Sequence, residues 1–284
     1  MNTLLLAVVM TASTLTSCVV MQEGVVPSDN YETKQVEVGS FDGISAFASI
    51  DVTYTQKQGT PHVEIYAPDN LMEYVKVNVK DGVLQVGFQS EEGKGINIKG
   101  NHKTEVRVTA PAVHAFRASS SGDIIMKNGL RTTGKVIVQS ASSGDIEGGD
   151  VVCDGLLIQA SSSGDISLGK IDCHALETDA SSSGDVEIEH LDANEMLARA
   201  SSAGDITING GSCVDVRLEA ASSGDVEAKE LKADHVTALA SSAGDISCYP
   251  VESLKAKASS GGNVGYRGNP KSIDSSKKGV HKLD

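Results

Sequence analysis

The chain has 284 residues, enough for one or two domains, and its 29 glycines, six prolines and absence of tryptophan suit many tight turns around small core side chains. A formal net charge of −14 argues against nucleic acid as a partner, because its phosphates would be repelled. Glycine does not recur at every third position, which excludes collagen.

Met1 to Ser17 carry no charged side chain and include an apolar run, Leu4 to Met10, followed by Leu15-Thr16-Ser17-Cys18. The stretch reads as a secretory signal ending in a lipoprotein cleavage box, with Cys18 as the acylated, palmitate-bearing first residue of the mature chain. Its apolar core is too short to span a bilayer as a helix. Two or more acyl chains would hold the protein firmly, so the expected location is lipid-anchored beyond the inner membrane, at the outer membrane, on either its periplasmic or its surface face. Residues 18–35 form a tether.

Period-two alternation then predicts strands at Val36 and Val38, at Ile50, Val52 and Tyr54, at Val63 and Ile65, and at Val75, Val77 and Val79. It continues at Leu84, Val86 and Phe88, at Ile96 and Ile98, and at Val106 and Val108. Asp42-Gly43, Pro68-Asp69-Asn70, Asp81-Gly82 and Lys99-Gly100-Asn101 punctuate these strands as turns.

From about residue 113 the chain repeats. Gly-Asp recurs at Asp123, Asp145, Asp165, Asp185, Asp205, Asp225 and Asp245, with Gly262-Asn263 as a divergent last copy, at spacings of 22, 20, 20, 20, 20, 20 and 18 residues. A fixed period near 20 with strand-like residues marks a solenoid. In the copy after Asp185, Val186, Ile188, Leu191, Ala193, Met196, Ala198 and Ala200 point inward, with corners at Glu189-His190 and Asn194-Glu195. The parity carries Ser202 and Gly204 inward as well. Three short sides per coil predict an all-β, single-stranded, right-handed parallel β-helix, three-sided, with additional amino-terminal strands. The columns agree between copies: one is Ile124, Ile146, Ile166, Val186, Ile206, Val226, Ile246 and Val264, and another is alanine at every copy but Ser140. After Val264 the period fails, and 267–284 is a basic, polar tail or cap.

Cys153, Cys173 and Cys213 fall 20 and 40 residues apart, on one column, a stacking that permits but does not require a Cys153–Cys173 disulfide, and with Cys248 are expected to be buried, reduced, alanine-like side chains. One column cannot supply the convergent ligands of a zinc site. The repeated aspartates form an outward column about 5 Å apart, where fully charged neighbours repel by about 1 to 3 kcal/mol. That suggests a turn-forming role, with weak calcium binding at Asp145, Asp165, Asp185, Asp205 and Asp225 as the alternative. The inward serines, such as Ser202, are expected to bond in a stacked ladder, while the outward serine neighbouring each aspartate faces solvent. No histidine recurs beside them, which argues against nucleophilic catalysis; no catalytic residue and no cofactor is assigned.

Three functions remain open: a binding surface for a glycan or protein of the envelope or host, an envelope polysaccharide-processing enzyme, and a structural spacer. An enzyme of this architecture needs an irregular cleft, and the coils carry no long inserted loop to wall one.

Ser-Phe-Asp-Gly-Ile at Ser40 to Ile44, Leu84-x-Val86-x-Phe88 after Asp81-Gly82, Val106-x-Val108-x-Ala110-Pro111 and the repeated Ser-Gly-Asp-Ile together resemble the autotransporter adhesin head GIN domain family, common in lipoproteins of Bacteroides-type bacteria. The resemblance covers roughly residues 36–266. It implies a right-handed β-helix and an adhesin-like, non-enzymatic role, with no catalytic residues to carry over. Cys18 lacks the acidic cluster that sends many such lipoproteins to the outer face.

Overall fold

The computed structural model of the protein describes residues 24–89, 95–276 and 278–283. The signal segment and Cys18 lie outside the described residues. The chain is a β-solenoid of about eight turns, as the repeat predicts, with no α-helix among the described residues. An amino-terminal unit holds β1 (Tyr31–Val36), β2 (Gly43–Phe47), β3 (Asp51–Gln56), β4 (His62–Pro68), β5 (Val75–Lys80), β6 (Val83–Phe88) and β7 (Glu105–Ala110). The coils begin with β8 (Ala115–Ser119), β9 (Ile124–Met126), β10 (Leu130–Arg131), β11 (Lys135–Ala141), β12 (Ile146–Gly148) and β13 (Val151–Ser161). They continue through β14 (Ile166–Ser181), β15 (Val186–Ser201), β16 (Ile206–Ile208), β17 (Gly211–Ala221), β18 (Val226–Ala240), β19 (Asp245–Ala258) and β20 (Asn263–Tyr266). Two short strands, β21 (Ser272–Ser275) and β22 (Val280–Lys282), add a further partial turn.

Identical repeat positions stack in parallel register: Ile166 on Val186 and Ile146, Ala160 on Ala180, Cys153 on Cys173. The isoleucine and alanine columns are buried and run into one continuous core, so each coil is stabilised only through its neighbours. Some expected strands differ. β1 ends at Val36, and Ile98 makes only an isolated bridge to Val25.

The ladder starts earlier than the visible repeats. Ile44 stacks on Phe116 and Val52 on Ile124, which places β2 and β3 as a first coil. Ala48-Ser49-Ile50-Asp51-Val52 is therefore a hidden copy of Ser-Ser-Gly-Asp-Ile. Its continuation then leaves for the antiparallel pairs β1–β4, β4–β7 and β5–β6 before the chain returns to the helix axis at β8. Ile50 replaces glycine for a geometric reason. In later coils a Cβ at this position would strike the preceding coil's backbone, at 2.7 Å for Gly122 and 2.5 Å for Gly144. The first coil has no regular corner before it, so a large side chain fits and closes the core, and Ile50 is fully buried.

The serine step contradicts the inward reading. In each corner two consecutive residues, such as Ser162 (φ 53°) and Ser163 (φ 60°), adopt the left-handed conformation. Two such residues break the alternation of an extended strand, so Ser162, Ser163, Ser202 and their equivalents face solvent, and only the glycine that follows is buried. Left-handed non-glycine residues cost about 1–2 kcal/mol each. Backbone bonds that run from coil to coil, such as Ser163 N–H to the Ser182 carbonyl at 3.3 Å and Ser223 N–H to that of Ser242 at 3.2 Å, offset this. The stacked serine ladder is made chiefly by backbone; of the hydroxyls, Ser161 Oγ donates to the Ser140 carbonyl at 3.4 Å, and the buried Ser140, which donates its Oγ to the Gly164 carbonyl at 2.8 Å, belongs to the alanine column.

Candidate binding flank

The third side of the coils presents outward columns that do not repeat. Arg117, Gln139, Gln159, Asp179, Arg199, Glu219, Leu239 and Lys257 form one, and Ile137, Leu157, Glu177, Leu197, Arg217, Thr237 and Lys255 form the next. Beside them runs a stripe of serine and alanine from Ser119 to Ser259, which lowers one edge of the sheet. Gly155 and Ala175 lower the other.

Long side chains between two low edges leave a row of depressions. One of about 340 Å³ lies against Arg117, Gln139, Gln159 and Asp179, and one of about 510 Å³ against Asp179, Arg199, Glu219 and Leu239. The largest, about 590 Å³, is bounded by Glu177, Glu195, Leu197, Arg217 and His235. The polar side chains are tied along the axis. Arg117 Nη2 donates to Gln139 Oε1 at 2.6 Å, and Gln139 Nε2 donates to Gln159 Oε1 at 2.6 Å. Arg199 Nη1 donates to Glu177 Oε1 and Asp179 Oδ1, both at 2.9 Å, and its Nε lies 3.8 Å from Glu219 Oε2. These contacts raise the Arg199 guanidinium above its ordinary pKa, first through the bond to Asp179. Half-exposed ion pairs of this kind add little stability but fix the orientation of their members. The flank therefore offers a fixed set of donors and acceptors with leucines between them, a surface suited to binding an extended ligand.

The aspartate column is built for stacking. Oδ1 of Asp123, Asp145, Asp165, Asp185, Asp205 and Asp225 accepts the backbone N–H of the next aspartate at 2.8–2.9 Å, and Asp245 accepts both N–H and Nδ2 of Asn263. Asn263 thus ends the column with a donor where another aspartate would add a charge. Asp51 extends the column at the other end, a member that the hidden first coil concealed. Burial raises the Asp123 and Asp225 carboxyls above their ordinary value, and neighbouring aspartate charge adds to the effect. No group of three or more histidine, cysteine or acidic side chains converges on a metal position among the described residues.

The four later cysteines are free and buried. Burial pushes the Cys153 thiol up to about 11 and that of Cys173 to about 12, which leaves almost no nucleophilic thiolate at neutral pH. One constellation has the outline of a charge-relay site: His114 Nδ1 is 2.7 Å from Asp42 Oδ1, and Nε2 is 2.9 Å from Thr132 Oγ1. Nε2 is also 3.1 Å from the Thr133 carbonyl. The amides beside Thr132 are already used, Thr132 N–H by the Val152 carbonyl and Gly134 N–H by Asp154 Oδ2. The cluster works as a clip that joins the entrance of β2 to the first corner of the coils.

A family model described as "Putative auto-transporter adhesin, head GIN domain" matches residues 40–209 and again 169–270. The chain belongs to this family. The two matches overlap because a 20-residue repeat lets the same pattern settle on either set of coils. No curated protein matches the chain. Among solved structures, a "putative lipid binding protein" from Parabacteroides distasonis is 22% identical, with a TM-score of 0.66 over 92% of this chain and 100% of that one. A "putative adhesin" from Parabacteroides merdae is 21% identical, with a TM-score of 0.65 over 92% and 99%. A "putative adhesin" from Bacteroides fragilis is 25% identical, with a TM-score of 0.52 over 91% and 98%. These three structures share the solenoid fold. No helix among the described residues is long and apolar enough to cross a membrane.

Proposed function

We propose that the protein is a lipid-anchored, adhesin-like component of the cell envelope that binds through the variable flank of its solenoid. The signal segment and Cys18 supply secretion and the anchor, with the outer membrane as the destination. The ligand is a glycan or protein of the envelope or host, and nucleic acid is disfavoured by charge. The observation that carries this reading is the contrast between columns. Inward and corner positions repeat because the coil requires them, whereas the flank from Arg117 to Lys257 varies from coil to coil and holds three of the depressions along one side. Membership of the head GIN family and the adhesin descriptions of two structural neighbours support it.

The test is an array of glycans, matrix proteins and envelope components probed with the wild-type chain and with Leu157→Glu, Leu197→Glu and Arg199→Ala. Loss of array binding and of cell adherence in the variants, with an unchanged circular dichroism spectrum, is the expected result. Equal binding by variants and wild type would overturn the flank assignment. In cells, Cys18→Ala should release the protein from the membrane fraction.

A further inference from the structure

Charge is distributed unevenly along the axis. Residues 113–249 hold nine Lys and Arg against 22 Asp and Glu, a net of −13, while residues 250–284 hold seven against three, a net of +4. The reversal is built into the last corner. Val264 N–H donates to the Gly279 carbonyl at 2.7 Å, the same bond that Ile166 makes to Asp185 and Ile206 to Asp225. Gly279 therefore stands where the column would carry its next aspartate.

The basic groups here differ in availability. Arg267 is paired with Glu230, and Lys271 with Glu252 at 2.5 Å. Lys255 and Lys257 are exposed and, like Lys278, form no ion pair among the described residues. Lys255 and Lys257 border a depression of about 410 Å³ that also touches Ser259, Asp274, Ser275 and Ser276. Among the described residues β21 pairs only with β19 and β22 only with β20, so both present an open edge. Ile273 stacks on the buried Leu254 and is 47% exposed.

We infer that this C-terminal tip is a docking surface for a polyanionic polysaccharide. Unpaired ammonium groups attract its anionic substituents, and the serine hydroxyls and open strand edges offer hydrogen bonds to its hydroxyls. The net of −13 over residues 113–249 repels the same polymer, which favours contact at the tip and orients the solenoid end-on. A lone exposed isoleucine provides too little apolar surface for insertion into a membrane. A second copy offers a net of −4 spread over residues 24–112, twelve acidic against eight basic, a lower charge density than a polyanionic chain carries. Lys255 and Lys257 also end the two flank columns, so the readings are separated by Arg199→Ala, which lies on the flank away from the tip and should leave heparin binding within about twofold.

The test uses the full chain with heparin as the polyanion and dextran as the neutral control. Two triple variants lose the same charge at opposite ends: Lys255→Gln, Lys257→Gln and Lys278→Gln at the tip, and Lys34→Gln, Lys57→Gln and Lys80→Gln in the amino-terminal unit. Heparin binding that falls with added salt, weakens about tenfold or more in the tip variant and less than about twofold in the other, with no binding to dextran, is the expected result. Equal losses in both variants, or no heparin binding at low salt, would overturn the inference. So would binding to phosphatidylglycerol vesicles without heparin binding, or tip-dependent self-association in sedimentation without it.

Discussion

A single methyl group tests the corner geometry. In Gly184→Ala the new Cβ would lie 2.5 Å from the Ser161 nitrogen, 2.7 Å from the Ser161 Cα and 2.8 Å from the Ala160 carbonyl carbon, all of them backbone atoms of the preceding coil. Ordinary contact begins near 3.4 Å, so the two coils must part by about 0.9 Å at this corner. Three bonds join them there: Ser163 N–H to the Ser182 carbonyl at 3.3 Å, Ile166 N–H to the Asp185 carbonyl at 2.9 Å, and Asp185 N–H to Asp165 Oδ1 at 2.9 Å. Stretched by that amount they pass beyond useful length, and at about 1 kcal/mol each the loss is about 3 kcal/mol. Direct overpacking estimates, about 1–3 kcal/mol, agree. Urea denaturation followed by circular dichroism measures the change. A shift below about 0.5 kcal/mol would refute the claim that these glycines are held by backbone contact. The reciprocal variant, Ile50→Gly, should also destabilise, by leaving a cavity at the start of the core.

Three further outcomes follow from the contacts. Asp185→Asn should leave stability nearly unchanged, because an amide oxygen still accepts the Asp205 N–H, while Asp185→Ala should cost about 1 kcal/mol in the same denaturation assay. The buried Thr178 has no partner for its hydroxyl among the described residues, so Thr178→Val should stabilise the fold by about 1 kcal/mol, read as a higher unfolding midpoint. The hydrogen bond to Asp42, followed by that to the Thr133 carbonyl, raises His114 above its ordinary 6.5. A raised folded-state pKa means that the clip's contribution is fully present below 6.5 and disappears as pH rises through the folded value. An NMR titration of His114 should show the elevation and Asp42→Asn should reduce it; an unchanged titration would remove the clip's charge component.

The inward columns were legible because burial acts on every coil alike: isoleucine after Gly-Asp and alanine before the serines are each dictated by a neighbour that is a copy of itself. Parity failed at the serines for a physical reason. Counting by twos assumes extended backbone, and two left-handed residues in succession rotate the chain without leaving a mark in hydropathy. The first coil was hidden for a different reason, since its glycine became Ile50 where the constraint on glycine lapses, and about 70 residues of antiparallel strands separate Asp51 from Asp123. The signal that could have found it was Ala-Ser-x-Asp-Val after an alternating run.

The flank was only partly legible, and the cause is instructive. Alternation between the inward Ala198 and Ala200 places Arg199 outward, which it is. It could not show that depressions form between outward side chains, because a depression depends on how low the adjacent columns stand and on which direction a long side chain is tied. Arg199 reaches back to Asp179 and Glu177 instead of extending into solvent, and Gly155 and Ala175 are low only relative to Glu195 and Asp215 in later coils. Variation along a repeat is therefore informative in a way that the repeat is not. The constant positions fix a spacing of about 4.8 Å between coils, and the variable ones place a different functional group on each coil of that scale. A solenoid can change its ligand by substitution on this flank while every residue that specifies the coil stays the same.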